Sequence, residues 1–134
     1  MPVQEIELPA TKISNKSLTE KLCAQASEAE ALRDFIEKKT TRTRKLILLD
    51  ETGKNVTTQS LADRFSEYQD KGTTELFVVI GSSYGFSQEI KKSADFIWCF
   101  GAQTLSHEVA RAVLAEQLYR AWSVLKNHPY HNEG

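Results

Sequence analysis

The sequence lacks several features that mark well-known classes of protein. Its 134 residues contain no apolar run long enough to span a membrane, and the opening MPVQEIELPATK has no signal-peptide pattern. The two cysteines, Cys23 and Cys99, lie far apart without a CxxC pair, which favours reduced thiols over a disulfide framework. We therefore expect a soluble, cytoplasmic protein with no membrane partner.

An excess of positive charge is absent as well. The formal net charge is −1, so any contact with RNA or DNA must come from a local patch and not from the field of the whole domain. One such patch lies between the first helix and the first apolar strand, and its basic residues are Lys38, Lys39, Arg42, Arg44 and Lys45. This segment is as compatible with a solvated loop as with phosphate binding.

The well-known catalytic and nucleotide-binding motifs are missing. There is no GxGxxG, no Walker loop, no GxSxG and no HExxH, so NAD binding, nucleoside-triphosphate binding and hydrolase chemistry have little support. The closing HPYH, His128 to His131, supplies two histidines, and a zinc site would need further ligands. We therefore predict no metal site.

The apolar residues that are present predict one domain covering residues 1–134. Forty percent of the residues are hydrophobic, and there is no internal repeat or low-complexity linker. We predict strands at VQEIEL (Val3 to Leu8), LILLD (Leu46 to Asp50), ELFVVIG (ending at Gly81) and DFIWCF (Asp95 to Phe100), with a turn at ETGKN. We predict helices over about 18–38, about 58–70, within SQEIKKSA, and about 106–126.

Two of these helices have distinctive patterns. The first begins with a capping box at Ser17-Leu18-Thr19-Glu20 and carries apolar residues at helical spacing, namely Leu22, Ala26, Ala29 and Ile36. The last is apolar over much of its circumference, so it is either buried within the monomer or packed on a second copy, and we favour a homodimer. Its Glu116 and Arg120 have the favourable i,i+4 order of charges.

The alternation of apolar strands and helices predicts an α/β protein with a parallel sheet. Ligands of such sheets bind outside the carboxyl ends of the strands. Three loops occupy those ends here: Asp50 to Lys54, Gly81 to Phe86, and Phe100 to Ser106. Gly81-Ser-Ser-Tyr-Gly85 follows a strand and precedes a helix, and taken alone it is either a ligand loop or a plain turn.

The segment TLSHEVARAVLAEQLYRAWSVLKNHPYHNEG, Thr104 to Gly134, closely resembles the C-terminal segment of the RlmH family. LYRAW (Leu118 to Trp122) and HPYH are its specific parts, and LILLDETGK and FVVIGSSYGFS extend the likeness upstream. The resemblance implies a SPOUT-type α/β fold with a C-terminal deep trefoil knot, assembled as a homodimer. It also implies an S-adenosylmethionine-dependent methyltransferase that modifies N3 of a pseudouridine in the large-subunit (23S) ribosomal RNA, free in the subunit or in the assembled ribosome.

The same resemblance implies the residues that bind S-adenosyl-L-methionine. They lie in the three strand-end loops and are Leu49, Gly81, Phe100, Gly101, Ala102, Gln103, Thr104 and Leu105. Two differences from the family stand out. Its usual IGG-P-E-G is replaced by Ile80-Gly81-Ser82-Ser83-Tyr84-Gly85, and the strand and helix that normally precede VQEIEL are missing, so either the given chain starts late or it is a shortened member. An arginine common in the family tail is Asn132 here.

Methyl transfer to a ring nitrogen needs in-line alignment and a group that accepts or stabilises loss of the N3 proton. From the resemblance, we expect His131 and Tyr130 to position the base, and Arg120 or Arg111 to hold phosphate or stabilise the developing anion. His107 is expected to cap or pack the last helix. Two alternatives stay open: a non-catalytic, knotted dimer that binds RNA or ribosomes, and a flavodoxin-like nucleotide-binding module.

Overall fold

The computed structural model of the protein describes residues 4–6, 8, 18–39, 43–82 and 84–130. Helices and strands alternate along this part of the chain, as the sequence pattern predicts. The elements are α1 (Leu18–Lys39), β1 (Arg44–Lys54), α2 (Thr58–Asp70), β2 (Glu75–Ile80), α3 (Gln88–Ser93), β3 (Phe96–Trp98) and α4 (His107–Leu125). None of the helices in these described residues is long and apolar enough to cross a membrane.

The described strands form one parallel sheet in the order β2-β1-β3. Strand β1 is central, and its apolar run LILL is covered on both faces, which accounts for the continuous hydrophobic pattern. Leu49 of β1 is aligned with Ile80 of β2 and with Trp98 of β3. The predicted α/β class with a parallel sheet flanked by helices is confirmed.

Alternate residues of β1 support two hydrophobic clusters. Ile47 points to the side covered by α2 and α4, where it packs with Leu61, Phe65 and Ala121. Leu48 points to the opposite side, and that cluster is completed by residues of α1, β1 and α3: Ala29, Leu32, Ile36, Leu46 and Ile90. This period of two is the pleat of the strand, and it places helices on both faces of the sheet.

The strand predicted at Val3 to Leu8 is wrong for the residues that the structure describes there. Gln4–Ile6 and Leu8 have no strand conformation, while the other residues of that segment lie outside the described part. Ile6 is 42% exposed, and Glu5 forms an ion pair with Arg111 of α4. Alternating hydrophobicity predicts a strand only where a neighbouring strand and a core face are available to it. Ser17, the first residue of the predicted capping box, also lies outside the described residues.

The turn predicted at ETGKN is wrong, because β1 continues to Lys54 with a shift of register after Leu49. The Asp50 carboxylate accepts a hydrogen bond from the Thr52 N–H at 3.0 Å, which bends the strand without ending it. Lys54 is then aligned with Trp98, and its carbonyl accepts from the Cys99 N–H at 2.9 Å. Turn-forming residues therefore build an irregular strand that prolongs the β1–β3 pairing.

The apolar face predicted for α1 is correct only in its second half. Ala29 and Ile36 are buried, as predicted, but Ala26 is exposed and Leu22 is 55% exposed. The helix runs past the carboxyl end of the sheet, where Gln25 already contacts the Tyr84 carbonyl. Leu22 lies about one turn further along, so the apolar spacing continues beyond the sheet that would bury it.

Helix α4 combines an inner face with an exposed one. Leu114, Leu118 and Ala121 pack on the cluster around Ile47, whereas Val109 and Tyr119 are 48% and 44% exposed. The capping role expected of His107 is wrong, because the Ser106 hydroxyl caps the helix by accepting from the Val109 N–H at 3.2 Å. His107 is the first helical residue and is exposed.

Candidate cofactor loops and C-terminal tail

Two of the three predicted cofactor loops, Gly81 to Phe86 and Phe100 to Ser106, leave the sheet at the same edge. The first predicted loop, Asp50 to Lys54, is wrong, because those residues continue β1. Because Leu49, Ile80 and Trp98 are aligned across the three strands, the residues that follow Ile80 and Trp98 emerge beside the end of the apolar run of β1. Gly81 and Phe100 therefore lie in neighbouring loops, as expected of the carboxyl edge of a parallel sheet. Residues 49, 81 and 100–105 are far apart in sequence and share this edge in the fold.

The loop after β2 begins with a glycine that has a steric reason to be there. A Cβ atom on Gly81 would lie 2.9 Å from the Phe86 ring, closer than side chains normally approach. Four residues on, Gly85 has a φ of +76°, a conformation that side chains rarely adopt. The Gly85 N–H donates to the Ser82 carbonyl at 3.0 Å. This loop thus presents bare backbone at the sheet edge.

The loop after β3 is tied at its start and open beyond it. The Phe100 ring packs edge-on against Trp98, with ring centroids 4.8 Å apart. Cys99 and Gly101 form two mutual contacts: the thiol donates to the Gly101 carbonyl at 2.9 Å, and the Gly101 N–H donates to the sulfur at 3.3 Å. The residues from Ala102 to Leu105 are exposed, so their backbone groups are accessible to a ligand.

A cavity of about 280 Å³ adjoins the loop after β3. It opens between the end of β3, the start of α2 and the outer half of α4. Phe100 and Trp98 line its apolar part, and the Thr58 hydroxyl donates to Gln117 Oε1 at 2.8 Å on its polar side. Of the predicted cofactor residues, Phe100 is the one that lines this cavity.

A buried ion pair lies behind the sheet edge, and sequence reasoning missed it. Lys91 Nζ of α3 lies 3.2 Å from Asp50 Oδ2, and the two side chains are only 16% and 10% exposed. Burial raises the pKa of Asp50, but hydrogen bonds from Thr52 and Lys91 outweigh burial and hold that pKa below its usual value. The pair fixes α3, which follows the Gly81 loop directly, to the end of the apolar run of β1.

The chain reverses direction after α4. The His128 N–H donates to the Ser123 carbonyl at 2.8 Å, the Asn127 N–H donates to the Val124 carbonyl at 3.2 Å, and Asn127 has a φ of +54°. These bonds make a Schellman motif, in which asparagine is the usual substitute for glycine at the left-handed position. The reversal brings the following residues back along α4.

Tyr130 docks on α4 through this reversal. Its hydroxyl donates to the two carboxylate oxygens of Glu116, with distances of 2.8 and 3.1 Å, and its ring packs against Tyr119 at 4.6 Å between centroids. The Arg120 guanidinium lies 4.9 Å from the Tyr130 ring centroid, and its Nε donates to Glu116 at 2.8 Å. Two predicted catalytic residues, Tyr130 and Arg120, are therefore neighbours, joined by Glu116.

Hydrogen bonding shifts the pKa values of this cluster in opposite directions. The hydrogen bond from Tyr130, followed by the one from Arg120, lowers the pKa of Glu116. The same bond to Glu116 raises the pKa of Tyr130. The contact therefore persists through neutral pH. It weakens only as the pH falls through the lowered Glu116 pKa or rises through the raised Tyr130 pKa.

The remaining predicted residues have varied placements. His131 lies outside the described residues, and Arg111 is paired with Glu5. Lys45, from the basic segment, lies 3.7 Å from Asp95 and 5.7 Å from the Tyr68 ring centroid. Within the part of the chain that the structure describes, no three potential metal ligands converge.

A comparison with protein families shows the family of this chain. A family model described as "Predicted SPOUT methyltransferase" matches residues 1–131, nearly the whole chain. The chain belongs to the SPOUT methyltransferase family. The flavodoxin-like alternative therefore has no further support.

Three curated relatives of this SPOUT chain share one name, "Ribosomal RNA large subunit methyltransferase H". The relative from Chelativorans sp. (strain BNC1) is 44% identical over 88 residues, which are 66% of this chain and 51% of the relative. The relative from Bartonella henselae is 38% identical over 104 residues, or 78% and 62%. The relative from Geobacter sulfurreducens is 38% identical over 112 residues, or 81% and 73%. The chain thus spans between about half and three quarters of these proteins.

Glu116 contacts both Tyr130 and Arg120, but the sequence predicted for it only a helix-stabilising pair with Arg120. Its i,i+4 relation to Arg120 was visible, but its contact with Tyr130 depends on the reversal at Asn127. No local pattern brings residue 130 back to residue 116. The sequence offers one signal for this contact: an asparagine directly after the last turn of the helix, where a left-handed residue often ends a helix, followed by a tyrosine in the tail.

Replacement of Glu116 by glutamine is expected to lower the pKa of Tyr130 towards its ordinary value. The neutral amide no longer favours the protonated phenol as the carboxylate does. The measurement is an absorbance titration of tyrosinate, in which one of the four tyrosines should ionise at lower pH than in the parent. Glu108→Gln, at an exposed position of the same helix, is the control. Identical titrations of the parent and Glu116→Gln would contradict the assigned contact.

Replacement of Asn127 by valine is expected to destabilise the SPOUT domain by about 1–2 kcal/mol, because a β-branched residue is strained at a φ of +54°. Asn127→Gly keeps the reversal without this strain and should leave stability unchanged or slightly raised. Urea unfolding of both variants measures the difference. Equal stability of the valine and glycine variants would show that the Schellman motif is not formed.

Proposed function

We propose that this chain forms an S-adenosylmethionine-dependent methyltransferase acting on N3 of a pseudouridine in large-subunit ribosomal RNA. The observation that carries the proposal is the grouping of residues 49, 81 and 100–105 at one sheet edge, in a chain of the SPOUT methyltransferase family. The names of its relatives, which refer to ribosomal RNA of the large subunit, support this substrate. We place the reaction in the cytoplasm, where ribosomal RNA is available.

The loops at the sheet edge are suited to an adenosine-containing cofactor. Gly81 allows the Phe86 ring to pack on the loop backbone, since a Cβ there would lie 2.9 Å from that ring, and this packing helps to hold the backbone groups that a ligand would contact. The exposed backbone from Ala102 to Leu105 offers donors and acceptors for a base edge, and Phe100 offers an apolar surface. When bound, S-adenosyl-L-methionine would supply an electrophilic methyl group. We propose that Leu49, Gly81 and residues 100–105 hold it.

The docked tail is suited to orienting the acceptor base. Tyr130 presents one ring face to Arg120, whose guanidinium is always charged and can contact phosphate or a developing anion. We propose that Tyr130 and Arg120 position the RNA, and that His131 accepts the N3 proton or aids its loss. In this proposal the tail of one subunit serves the cofactor loops of the other, because Tyr130 contacts its own α4 and not its own sheet edge.

The proposed assembly is a homodimer whose C-terminal part is threaded into a trefoil knot. The exposed Val109 and Tyr119 on the outer face of α4 support a contact between copies, since apolar residues there would gain burial. Light scattering coupled to gel filtration tests the dimer: a mass of twice 15.1 kDa is expected. A monomer at micromolar concentration would reject the trans arrangement of tail and loops.

Methyl transfer to ribosomal subunits is the direct test of the activity. Purified protein, radiolabelled S-adenosylmethionine and subunits from cells that lack the enzyme should yield one labelled pseudouridine, identified by mass spectrometry. His131→Ala is expected to reduce turnover by about 10²-fold or more if the histidine handles the proton. RNA binding is measured separately, so that weak binding is not mistaken for lost chemistry. RNA binding without cofactor binding would instead support the non-catalytic module.

A further inference from the structure

The glycine-rich loop after β2 is held from outside by helix α1. The Ser82 hydroxyl donates to Glu28 Oε1 at 2.7 Å, and Gln25 Nε2 donates to the Tyr84 carbonyl at 2.5 Å. All four residues are half-buried. A hydrogen bond to a carboxylate is stronger than one between neutral groups, and partial burial protects it from competing water. We call these two bonds the α1–loop contact.

Ser82 passes this contact on to the loop backbone. Its hydroxyl oxygen accepts from the Tyr84 N–H at 3.3 Å, and its carbonyl accepts from the Gly85 N–H at 3.0 Å. Because the Ser82 hydroxyl donates its hydrogen bond to Glu28, the lone pairs of the hydroxyl oxygen are directed towards the Tyr84 N–H. One carboxylate on α1 thereby influences the loop conformation from Ser82 to Gly85, immediately after Gly81.

The helix that supplies Glu28 is a firm base for such a contact. In the two turns that follow Glu28, Ala29, Leu32 and Ile36 are 4–6% exposed and pack on the sheet. The helix position is therefore set by the core and not by the loop. Ser82 thus has a fixed partner on α1 in Glu28.

We propose that Glu28 is a positioning residue, which acts through Ser82 to hold the described loop residues Gly81, Ser82, Tyr84 and Gly85 in the conformation that binds S-adenosylmethionine. The identity of the ligand rests on the proposed function. Glu28 acts on the loop and does not contact the cofactor. Its removal therefore weakens binding of every ligand that uses the loop backbone, whatever the charge on the ligand.

Calorimetric titration tests this with two ligands, S-adenosylmethionine and S-adenosylhomocysteine, which lacks the positive sulfonium. Glu28→Gln and Ser82→Ala are each expected to raise Kd for both ligands by about tenfold, the loss expected for one charge-assisted hydrogen bond. The double variant should be no worse than Ser82→Ala alone, because without the Ser82 hydroxyl the side chain at residue 28 has no bond left to weaken. Glu30→Gln, at an exposed position of α1, removes the same charge and should leave Kd unchanged.

Three outcomes would overturn the proposal. The first is an unchanged Kd in Glu28→Gln and Ser82→Ala. The second is a loss confined to S-adenosylmethionine, which would mean that the carboxylate acts through its charge on the sulfonium. The third is an additive loss in the double variant. Ser82→Ala leaves the sequence of α1 untouched, so it tests the same contact even if Glu28→Gln disturbs the helix.

Amide hydrogen exchange tests the contact without any cofactor. The Gly85 N–H is expected to exchange about tenfold faster in Glu28→Gln and Ser82→Ala than in the parent and in Glu30→Gln. If the parent binds no cofactor, the proposed function fails, while this exchange experiment still decides whether α1 holds the loop. Equal exchange rates in all four proteins would reject the α1–loop contact.

Discussion

Gly53→Ala is expected to cost about 3 kcal/mol of folding free energy, at the upper end of the usual range for overpacking. A Cβ at residue 53 would lie 2.5 Å from the Ile97 carbonyl oxygen and 2.8 Å from the Trp98 nitrogen. Both atoms belong to the backbone of β3, so no side-chain rotation can relieve the clash. The irregular end of β1 would have to move away from β3.

The same substitution is expected to disturb the loop after β3, which we propose binds the cofactor. The Lys54 carbonyl accepts the Cys99 N–H at 2.9 Å, and Cys99 in turn is bonded to Gly101. Displacement of Gly53 would therefore also move the first residues of the loop after β3. Weaker binding of S-adenosylmethionine should accompany the loss of stability, and it is measured below the unfolding transition of the variant.

Gly72→Ala is the matched control for Gly53→Ala. Gly72 has a φ of +83° but has open space around its Cβ position, so alanine there costs only backbone strain of about 1 kcal/mol. In thermal unfolding, the midpoint temperature should fall by roughly 10 °C for Gly53→Ala and by a third of that for Gly72→Ala. Similar midpoints for the two variants would show that β1 and β3 do not approach closely at Gly53.

Lys91→Met is expected to destabilise the domain by about 2 kcal/mol. The change leaves the Asp50 carboxylate without its cation at a site where the aspartate side chain is only 10% exposed. Loss of one partner from a fully buried pair costs more than this, but both side chains here keep some contact with solvent. Methionine fills a volume similar to that of the lysine stem, so packing changes little.

An exposed ion pair provides the control for Lys91→Met. Lys71 and Glu67 lie 2.7 Å apart, yet their side chains are 67% and 60% exposed. Lys71→Met should therefore leave the unfolding midpoint unchanged, because exposed pairs contribute little. In the double variant Asp50→Asn with Lys91→Met, no charge is left unpaired and part of the loss should be recovered. If Lys91→Met proves as harmless as Lys71→Met, the buried pair is not formed.

Asp50 of this pair also makes the free energy of unfolding depend on pH, and the direction follows from its pKa. The pKa of Asp50 is lowered in the folded protein, so its contribution is fully present above the unfolded pKa of about 4. That contribution is lost as the pH falls below this value, towards the lowered folded pKa. Urea unfolding between pH 2 and 6 should therefore show a shallower acid loss in Asp50→Asn than in the parent.

The sequence alone predicted the α/β class and most of the element positions. Leu46 to Leu49 form an unbroken apolar run, and such a run fits only a strand that is covered on both faces. Helices α2 and α4 follow from apolar periodicity, whereas their caps at Thr57 and Ser106 became known only from the structure. The candidate loops followed from one rule, that ligands of parallel sheets bind at the carboxyl ends of the strands.

The sequence misled where a local pattern depended on a distant neighbour. ETGK consists of turn-forming residues, yet it continues β1 because β3 offers a partner for Lys54. Leu22 fits the apolar stripe of α1, yet the sheet has ended by that point. In both cases the local pattern is present, but the neighbouring elements determine whether the segment forms a strand or whether its side chain is buried.

Local physics thus predicted from the sequence the segments that form the helices and the three strands of the sheet, and it nominated the sheet edge at which we propose that a ligand binds. Only the tertiary structure decided which side chains support that site. Lys91 reaches Asp50, Glu28 holds Ser82, and Tyr130 docks on Glu116. Each pair joins residues that are 14 to 54 positions apart. Side-chain pairing across such separations is set by how whole elements pack, and no period of two or 3.6 residues encodes it.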